Sequence, residues 1–217
     1  MVKIVPVICA RCGSSVRDKN LRAWGGKPLL GLMCERVAGV LGRCVVLTDS
    51  PRYAEVAREY RAEVPYVDEK HGDLDDVTLA LRRYVERTGV RDAWLMLVQC
   101  TSPRLSEETL RRAHRLAGML HQDEVLMTVA ELECKATAVM ALGDDGRLVP
   151  AIPGLPLPSV PRQLLPHFYR FTGGITLVHC SRVAGASLFE GCRMVPLVVP
   201  EVEGLDIDRE SDFFLKK

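Results

Sequence analysis

The chain has 217 residues, 47% of them hydrophobic and 26% charged, with 29 Lys and Arg against 28 Asp and Glu. That hydrophobic content and a formal charge of +1 exclude a disordered chain, and the charge balance argues against a nucleic-acid protein, which needs clustered excess base. The size suits one domain, or one with a small appendage.

Residues 3–9 form a β-rich apolar run. Leu29, Leu32, Met33, Val37, Val40 and Leu41 then recur at helical spacing. Residues 44–47 read as a second strand. It is closed by Asp49-Ser50-Pro51, where Ser50 caps and Pro51 starts a helix to residue 60. A short strand is predicted over 63–67, and Val77, Ala80, Leu81, Tyr84 and Val85 make a helical stripe. Residues 93–98 are a continuous apolar strand, expected to be buried on both faces. Ser106 caps the next helix, which opens with Glu107 and Glu108 and turns Leu110, Ala113, Ala117 and Leu120 inward. Such alternation predicts an α/β fold, a mostly parallel sheet with helices on both faces.

Beyond residue 124 the pattern changes. Shorter strand runs are predicted over 125–129, 136–142 and 148–152, with a hairpin signal at Gly143-Asp144-Asp145-Gly146. The proline-rich stretch from Pro150 to Pro166 cannot be central sheet or helix and reads as an arm, a lid or a loop. The longest apolar runs fall far short of the roughly 20 residues that span a bilayer. The first nine residues are too short and too soon followed by charge for a signal peptide. A soluble, cytoplasmic protein is expected, with no membrane and no nucleic-acid partner.

Of eight cysteines, Cys9, Cys44, Cys100, Cys134 and Cys180 lie in or beside strand-like runs and are expected to be reduced. Cys9-Ala10-Arg11-Cys12 is a CxxC motif without the second ligand pair that structural zinc needs; a disulfide between its two cysteines stays open.

In an open parallel sheet, ligands bind beyond the carboxyl ends of the strands. The first such loop, Ala10 to Leu21, is small and contains Gly13, Ser14 and Ser15, with Arg11, Arg17 and Lys19 as cations. Its composition suits a phosphate, although a solvated basic loop would look the same. It is neither a Walker A loop nor GxGxxG. Thr48-Asp49 follows the second strand, and Gln99-Cys100-Thr101-Ser102-Pro103 follows the long buried one. Near the end, Asp206-Ile207-Asp208 places two carboxylates on one side of an extended segment, suited to a hard cation, with Asp212 beyond.

Taken in order, these segments resemble the acylneuraminate (CMP-sialic acid or nonulosonic acid) cytidylyltransferase family. Ala10-Arg11, Lys19-Asn20-Leu21 and Gly26-Lys27-Pro28-Leu29-Leu30 match its opening. Thr48-Asp49, Gln99 to Pro103, Pro161-Arg162-Gln163 with Pro166 and Arg170, Gly173-Gly174-Ile175, and Asp206 to Asp212 follow. The signature of the related Kdo enzymes is missing from the region His71 to Asp76.

The resemblance implies a Rossmann-like nucleotide-binding core over 1–124, a β-rich dimerisation and sugar-binding arm over 125–172, and a return to the core over 173–217. It implies transfer of CMP from CTP to an acidic nine-carbon sugar, with pyrophosphate released, in a homodimer using Mg2+. Arg11, Lys19 and Asp208 are implied as catalytic. Ala10, Arg11, Ser14, Lys19, Asn20 and Asp49 are implied as nucleotide-binding, Gln99, Lys135, Arg162 and Arg170 as sugar-binding, and Asp206 and Asp208 as metal ligands. The first loop is one residue shorter than the family pattern, and Asp68 stands where the family commonly has Arg. Another nucleotide or acidic sugar (Kdo-like or guanylyl transfer), and a non-catalytic nucleotide-binding relative, remain alternatives.

Overall fold

The computed structural model describes residues 2–12, 16–68, 77–132, 136–144, 146–152, 154 and 161–215. Its elements, in chain order, are β1 (Ile4–Ala10), β2 (Ala23–Trp24), β3 (Lys27–Pro28), α1 (Leu29–Leu41), β4 (Val45–Thr48), α2 (Pro51–Glu59), α3 (Val77–Thr88), β5 (Trp94–Val98) and α4 (Glu107–Ala117). There follow β6 (Glu124–Glu131), β7 (Met140–Leu142), β8 (Leu148–Pro150), β9 (Tyr169–His179) and β10 (Arg193–Val198).

The apolar runs become central strands because they have no polar face to turn outward. Every residue of β4 and β5 is buried, and β1 runs between them, parallel to both. The six-stranded sheet has the order β4-β1-β5-β9-β6-β10. The pairs β4–β1, β1–β5 and β6–β10 are parallel, whereas β9 runs antiparallel to both neighbours, β5 and β6. This antiparallel insertion, which the strand pattern does not predict, brings the start of β9 to the carboxyl ends of β5 and β6. Leu97 pairs with Thr176, Val98 with Ile175 and Glu131 with Tyr169.

Helices cover both faces, as expected. Leu30, Met33 and Val37 of α1, Tyr53 and Ala57 of α2, and Leu110 and Ala113 of α4 pack on one face with Ile8, Met96 and Leu126. On the other face, Ala80, Leu81, Tyr84 and Val85 of α3 join Val183 and Leu188 against Val7, Leu95 and Val178. Each large side chain so buried contributes about 1.5–3 kcal/mol. The caps read from sequence are present: Ser50 Oγ accepts from the Tyr53 N–H at 3.4 Å, and Ser106 Oγ from the Thr109 N–H at 3.1 Å.

Two expectations need correction. The strand predicted over 63–67 reduces to two isolated bridges, Glu63 to Val45 and Val67 to Thr48, because Pro65 between them has no N–H to donate. The stretch predicted as a strand over 136–142 opens instead with a 3-10 turn over Ala136–Ala138 before β7.

The segment 125–172 does not leave the sheet as one piece: β6, and the start of β9, pair within the central sheet. Between them lies the β7–β8 hairpin, closed by the Gly143 N–H on the Arg147 carbonyl at 2.8 Å. Leu142, Leu148 and Leu164 are exposed there. No helix among the described residues is long and apolar enough to cross a membrane.

Candidate active site

The carboxyl ends of β1, β4 and β5 and the start of β9 form one edge of the sheet, and the motif-bearing segments gather above it. From β1, buried Ala10 faces the core, so it lines the edge by its backbone. Arg11 is half-buried behind it. The Cys12 N–H donates to Asp49 Oδ1 at 2.9 Å, so Asp49, at the end of β4, anchors the first loop. Ser14 lies outside the described residues.

A 3-10 turn over Lys19–Leu21 follows Asp18, whose φ of 51° reverses the chain. The turn buries Lys19 and Asn20. Asn20 Nδ2 donates to the Arg11 carbonyl at 3.4 Å, and the Cys100 thiol donates to Asn20 Oδ1 at 3.2 Å. Asn20 therefore ties the loop after β1 to the residue that follows Gln99 at the end of β5.

The acidic segment arrives from the far end of the chain. Ile207 is fully buried and packs with Val16, Leu29 and Phe213. The Ile207 N–H donates to the Thr101 carbonyl at 2.8 Å. This pins the aspartates on either side of it over the strand ends. Lys19 Nζ lies 3.0 Å from Asp208 Oδ1, across 189 residues of sequence. Lys19 is only 9% exposed, whereas the Asp208 side chain is 68% exposed, so the ammonium is held ready beneath an open carboxylate.

Asp206 is the less solvated of the pair. Burial raises its carboxyl pKa above the usual range, with a hydrogen bond from Thr101 opposing and the Asp208 charge adding to the rise. Its Oδ1 is buried without a hydrogen-bond partner, a costly state for a carboxylate oxygen. Asp212 serves the backbone instead. Its Oδ2 accepts from the Asp208 and Arg209 N–H groups at 2.8 and 2.7 Å, which closes the turn and holds its own pKa down.

No three His, Cys, Asp or Glu side chains gather as a ready-made metal cage among the described residues. The orphaned Asp206 oxygen and the open Asp208 carboxylate nevertheless fit Mg2+. That ion is usually held by one or two carboxylates, with water and substrate phosphates completing its shell.

The residues assigned to the sugar are only partly brought together. Gln99 stands half-buried at the end of β5, its N–H on the Gly174 carbonyl at 3.1 Å. Lys135 and the Arg162 side chain lie outside the described residues. Arg170 forms one wall of a groove of about 630 Å³ that Arg104, Val202, Leu205 and Asp206 also line. Its guanidinium is already engaged, at 2.5 Å from Glu201 Oε1 and at 3.2 and 3.3 Å from the Gly204 carbonyl. Arg170 thus fastens the 201–204 segment beside the aspartates as well as facing the groove.

Two features of the site are not legible in the sequence. Arg104 joins the groove with only its place after Pro103 to signal it. Buried Asp68 pairs with Arg83 of α3 at 3.0 Å, beside a slot lined by Cys9, Arg11, Thr48 and Tyr66. The cation that pairs with Asp68 comes from a helix, and sequence spacing alone gives no sign of it. Cys9 and Cys12 are both free thiols, and burial pushes Cys9 and Cys100 up to about 12 each, which makes both inert near neutral pH.

A basic loop and a pair of carboxylates over the carboxyl edge of an α/β sheet suit nucleotidyl transfer, and the family match identifies the chain as a nucleotidyltransferase. The profile of the family described as Cytidylyltransferase matches residues 5–134, and the chain belongs to that family. It is 27% identical over 233 residues to the CMP-N,N'-diacetyllegionaminic acid synthase of Legionella pneumophila, covering 99% of this chain and 94% of that protein. It is 26% identical over 155 residues to a pseudaminic acid cytidylyltransferase of Campylobacter jejuni, covering 68% of this chain and 66% of that one.

Among solved structures, the fold is similar to a CMP:2-keto-3-deoxy-manno-octonic acid synthetase complexed with CTP. The TM-score is 0.66 at 19% identity, covering 91% of this chain and 90% of that one. It is equally similar to a 4-diphosphocytidyl-2C-methyl-D-erythritol synthase from Anaerococcus prevotii, with a TM-score of 0.66 at 16% identity, covering 99% and 94%.

Proposed function

We propose that the protein transfers the cytidylyl group of CTP to a nonulosonic acid, releasing pyrophosphate, as a cytoplasmic homodimer that uses Mg2+. The observation that carries this reading is the meeting of Lys19 with Asp208 over the strand ends, two residues from the buried, unpartnered oxygen of Asp206. Family membership supports the cytidylyl group, and the names of the two similar proteins support the acidic sugar.

In-line attack on the α-phosphorus leaves little covalent work for side chains, so positioning and charge neutralisation dominate. Arg11 and Lys19 bind the triphosphate, and Lys19 meets the charge that grows on the leaving pyrophosphate. Asp49 and Asn20 hold the first loop and its basic groups in place, the backbone of Ala10 lines the nucleotide side, and Ser14 is assigned to nucleotide binding by its place in the motif. Asp206 and Asp208 would hold Mg2+, which would supply neutralisation of the phosphate charge when bound. Gln99, Lys135, Arg162 and Arg170 receive the sugar, and an Arg grips its carboxylate with two parallel hydrogen bonds.

Pyrophosphate release with Mg2+ tests this, using CTP, UTP, GTP and ATP against a panel of nonulosonic acids and Kdo. Turnover with CTP and a nonulosonic acid is expected. Preference for another base or for Kdo would move the assignment within the fold, and no turnover with any pair would leave a binding protein.

Arg162→Lys keeps the charge but loses the planar fork. The apparent affinity for the acidic sugar should fall by about one to two orders of magnitude, at ~1.4 kcal/mol per tenfold. Affinity for CTP should stay, and a parallel fall in both, measured by initial rates, would instead make Arg162 a support of the arm.

A further inference from the structure

Asp206 and Asp208 sit on a segment with little regular structure, so something other than backbone ladders must fix their height above the sheet. Three contacts do so. One is the Ile207 N–H on the Thr101 carbonyl, and another is Arg170 on Glu201 and Gly204. Gly204 is buried against that guanidinium, and a Cβ there would lie 2.7 Å from Arg170 Nη2, so any larger residue would push the guanidinium aside.

The third contact reaches α4. Glu203 Oε2 accepts from the Ser106 N–H at 3.0 Å and from Thr109 Oγ1 at 2.8 Å. Its carboxylate thereby rests on the N-terminus of an eleven-residue helix, where the unpaired amides and the helix dipole favour negative charge. The turn before that helix is itself fixed. Arg36 of α1 donates to the Pro103 and Leu105 carbonyls at 2.8 and 2.6 Å. Burial lowers the pKa of Arg36, and the charges of Glu107 and Glu203 oppose the shift. Glu203 thus binds to a rigid corner built by α1, the β5–α4 turn and α4, and it lies three residues before Asp206.

We infer that Glu203 is a positioning residue for the reaction: latched to the start of α4, it sets where Asp206 presents its unpartnered oxygen to the cation. This rests on the reading of Asp206 and Asp208 as the cation-holding pair. Groups that orient a metal's ligands typically control ten- to hundredfold in metal affinity or activity.

The test is Mn2+ affinity, measured by electron paramagnetic resonance on the full chain without nucleotide, together with melting temperature and the kcat and KM for CTP. Glu203→Ala should weaken Mn2+ binding about ten- to hundredfold and lower kcat while leaving the KM for CTP unchanged. Glu203→Gln keeps an oxygen that accepts from Ser106 and Thr109, so it should recover most of the affinity. Ser106→Ala removes the helix's own cap but keeps the N–H that Glu203 uses; it should lower the melting temperature and leave Mn2+ binding intact.

If Glu203→Ala melts lower yet binds Mn2+ normally, Glu203 is only a helix cap and the inference is overturned. A loss that Glu203→Gln fails to recover overturns the hydrogen-bonded latch. Asp206→Asn is the reference: no loss there sinks the cation assignment and this inference with it. A loss in Asp206→Asn without one in Glu203→Ala sinks the latch alone.

Discussion

Asp208→Asn should lower Mg2+-dependent pyrophosphate release by roughly a hundredfold or more, about 3 kcal/mol of transition-state stabilisation. The reason is the spare composition of the site. The proposed function leaves the cation to two carboxylates, Asp206 and Asp208, and burial already raises the pKa of Asp206. Removing its solvated partner removes half of the charge that holds a divalent cation. The amide still offers Lys19 an oxygen to donate to, so the buried ammonium keeps a hydrogen-bond acceptor. The melting temperature should therefore move little, because the exchanged side chain is 68% exposed. Wild-type protein with Mg2+ chelated should fall to the same floor as the variant with Mg2+ present. A variant that retained near-normal turnover would remove Asp208 from the metal assignment.

Lys19→Met should be as damaging to turnover, by about two to three orders of magnitude, with stability preserved. Lys19 is buried, but its counter-ion is not. Methionine fills the same volume without a charge to desolvate, and Asp208 is left hydrated, so the usual penalty for breaking a buried pair does not arise. On the proposed function, what disappears is the ammonium that meets the charge on the departing pyrophosphate. Parallel measurement of kcat and thermal unfolding checks this. A variant that lost stability and kept its rate would make the Lys19–Asp208 pair a tether between the first loop and the C-terminal segment.

The two variants also differ in what they should do to Mn2+ binding without nucleotide. Asp208→Asn removes a proposed ligand and should weaken it. Lys19→Met removes a cation that competes for the same carboxylate and should strengthen it, since in the free protein the ammonium sits 3.0 Å from Asp208 Oδ1. Opposite shifts, read by electron paramagnetic resonance, would show the two groups sharing one oxygen.

Much of this chain can be read locally, and the reason is physical. The runs of β1, β4 and β5 are apolar on both faces, and only a doubly covered strand accepts such a pattern. Ser50, Ser106 and the glycine-flanked turn at 143–146 act on backbone groups within a few residues, so their effect needs no tertiary context. The motifs themselves are also visible: Arg11, Lys19, Asn20, Asp206 and Asp208 stand out by their order along the chain.

Direction, partnership and occupancy are decided in three dimensions. A strand's side-chain period does not reveal which way it runs, so nothing local shows that β9 enters antiparallel between β5 and β6 and brings Gly173 and Gly174 to the site. Its place in a motif assigns Arg170 to a sugar, but its guanidinium is bonded to Glu201 and Gly204, partners that come from a segment about thirty residues away. In the sequence Asp68 is an oddity in place of an arginine; folding supplies Arg83 from α3. Sequence determines which groups are present and how each short stretch prefers to lie. The tertiary structure decides which charge faces which, because a Coulomb interaction depends on distance in space and Lys19 meets Asp208 across nearly the whole chain.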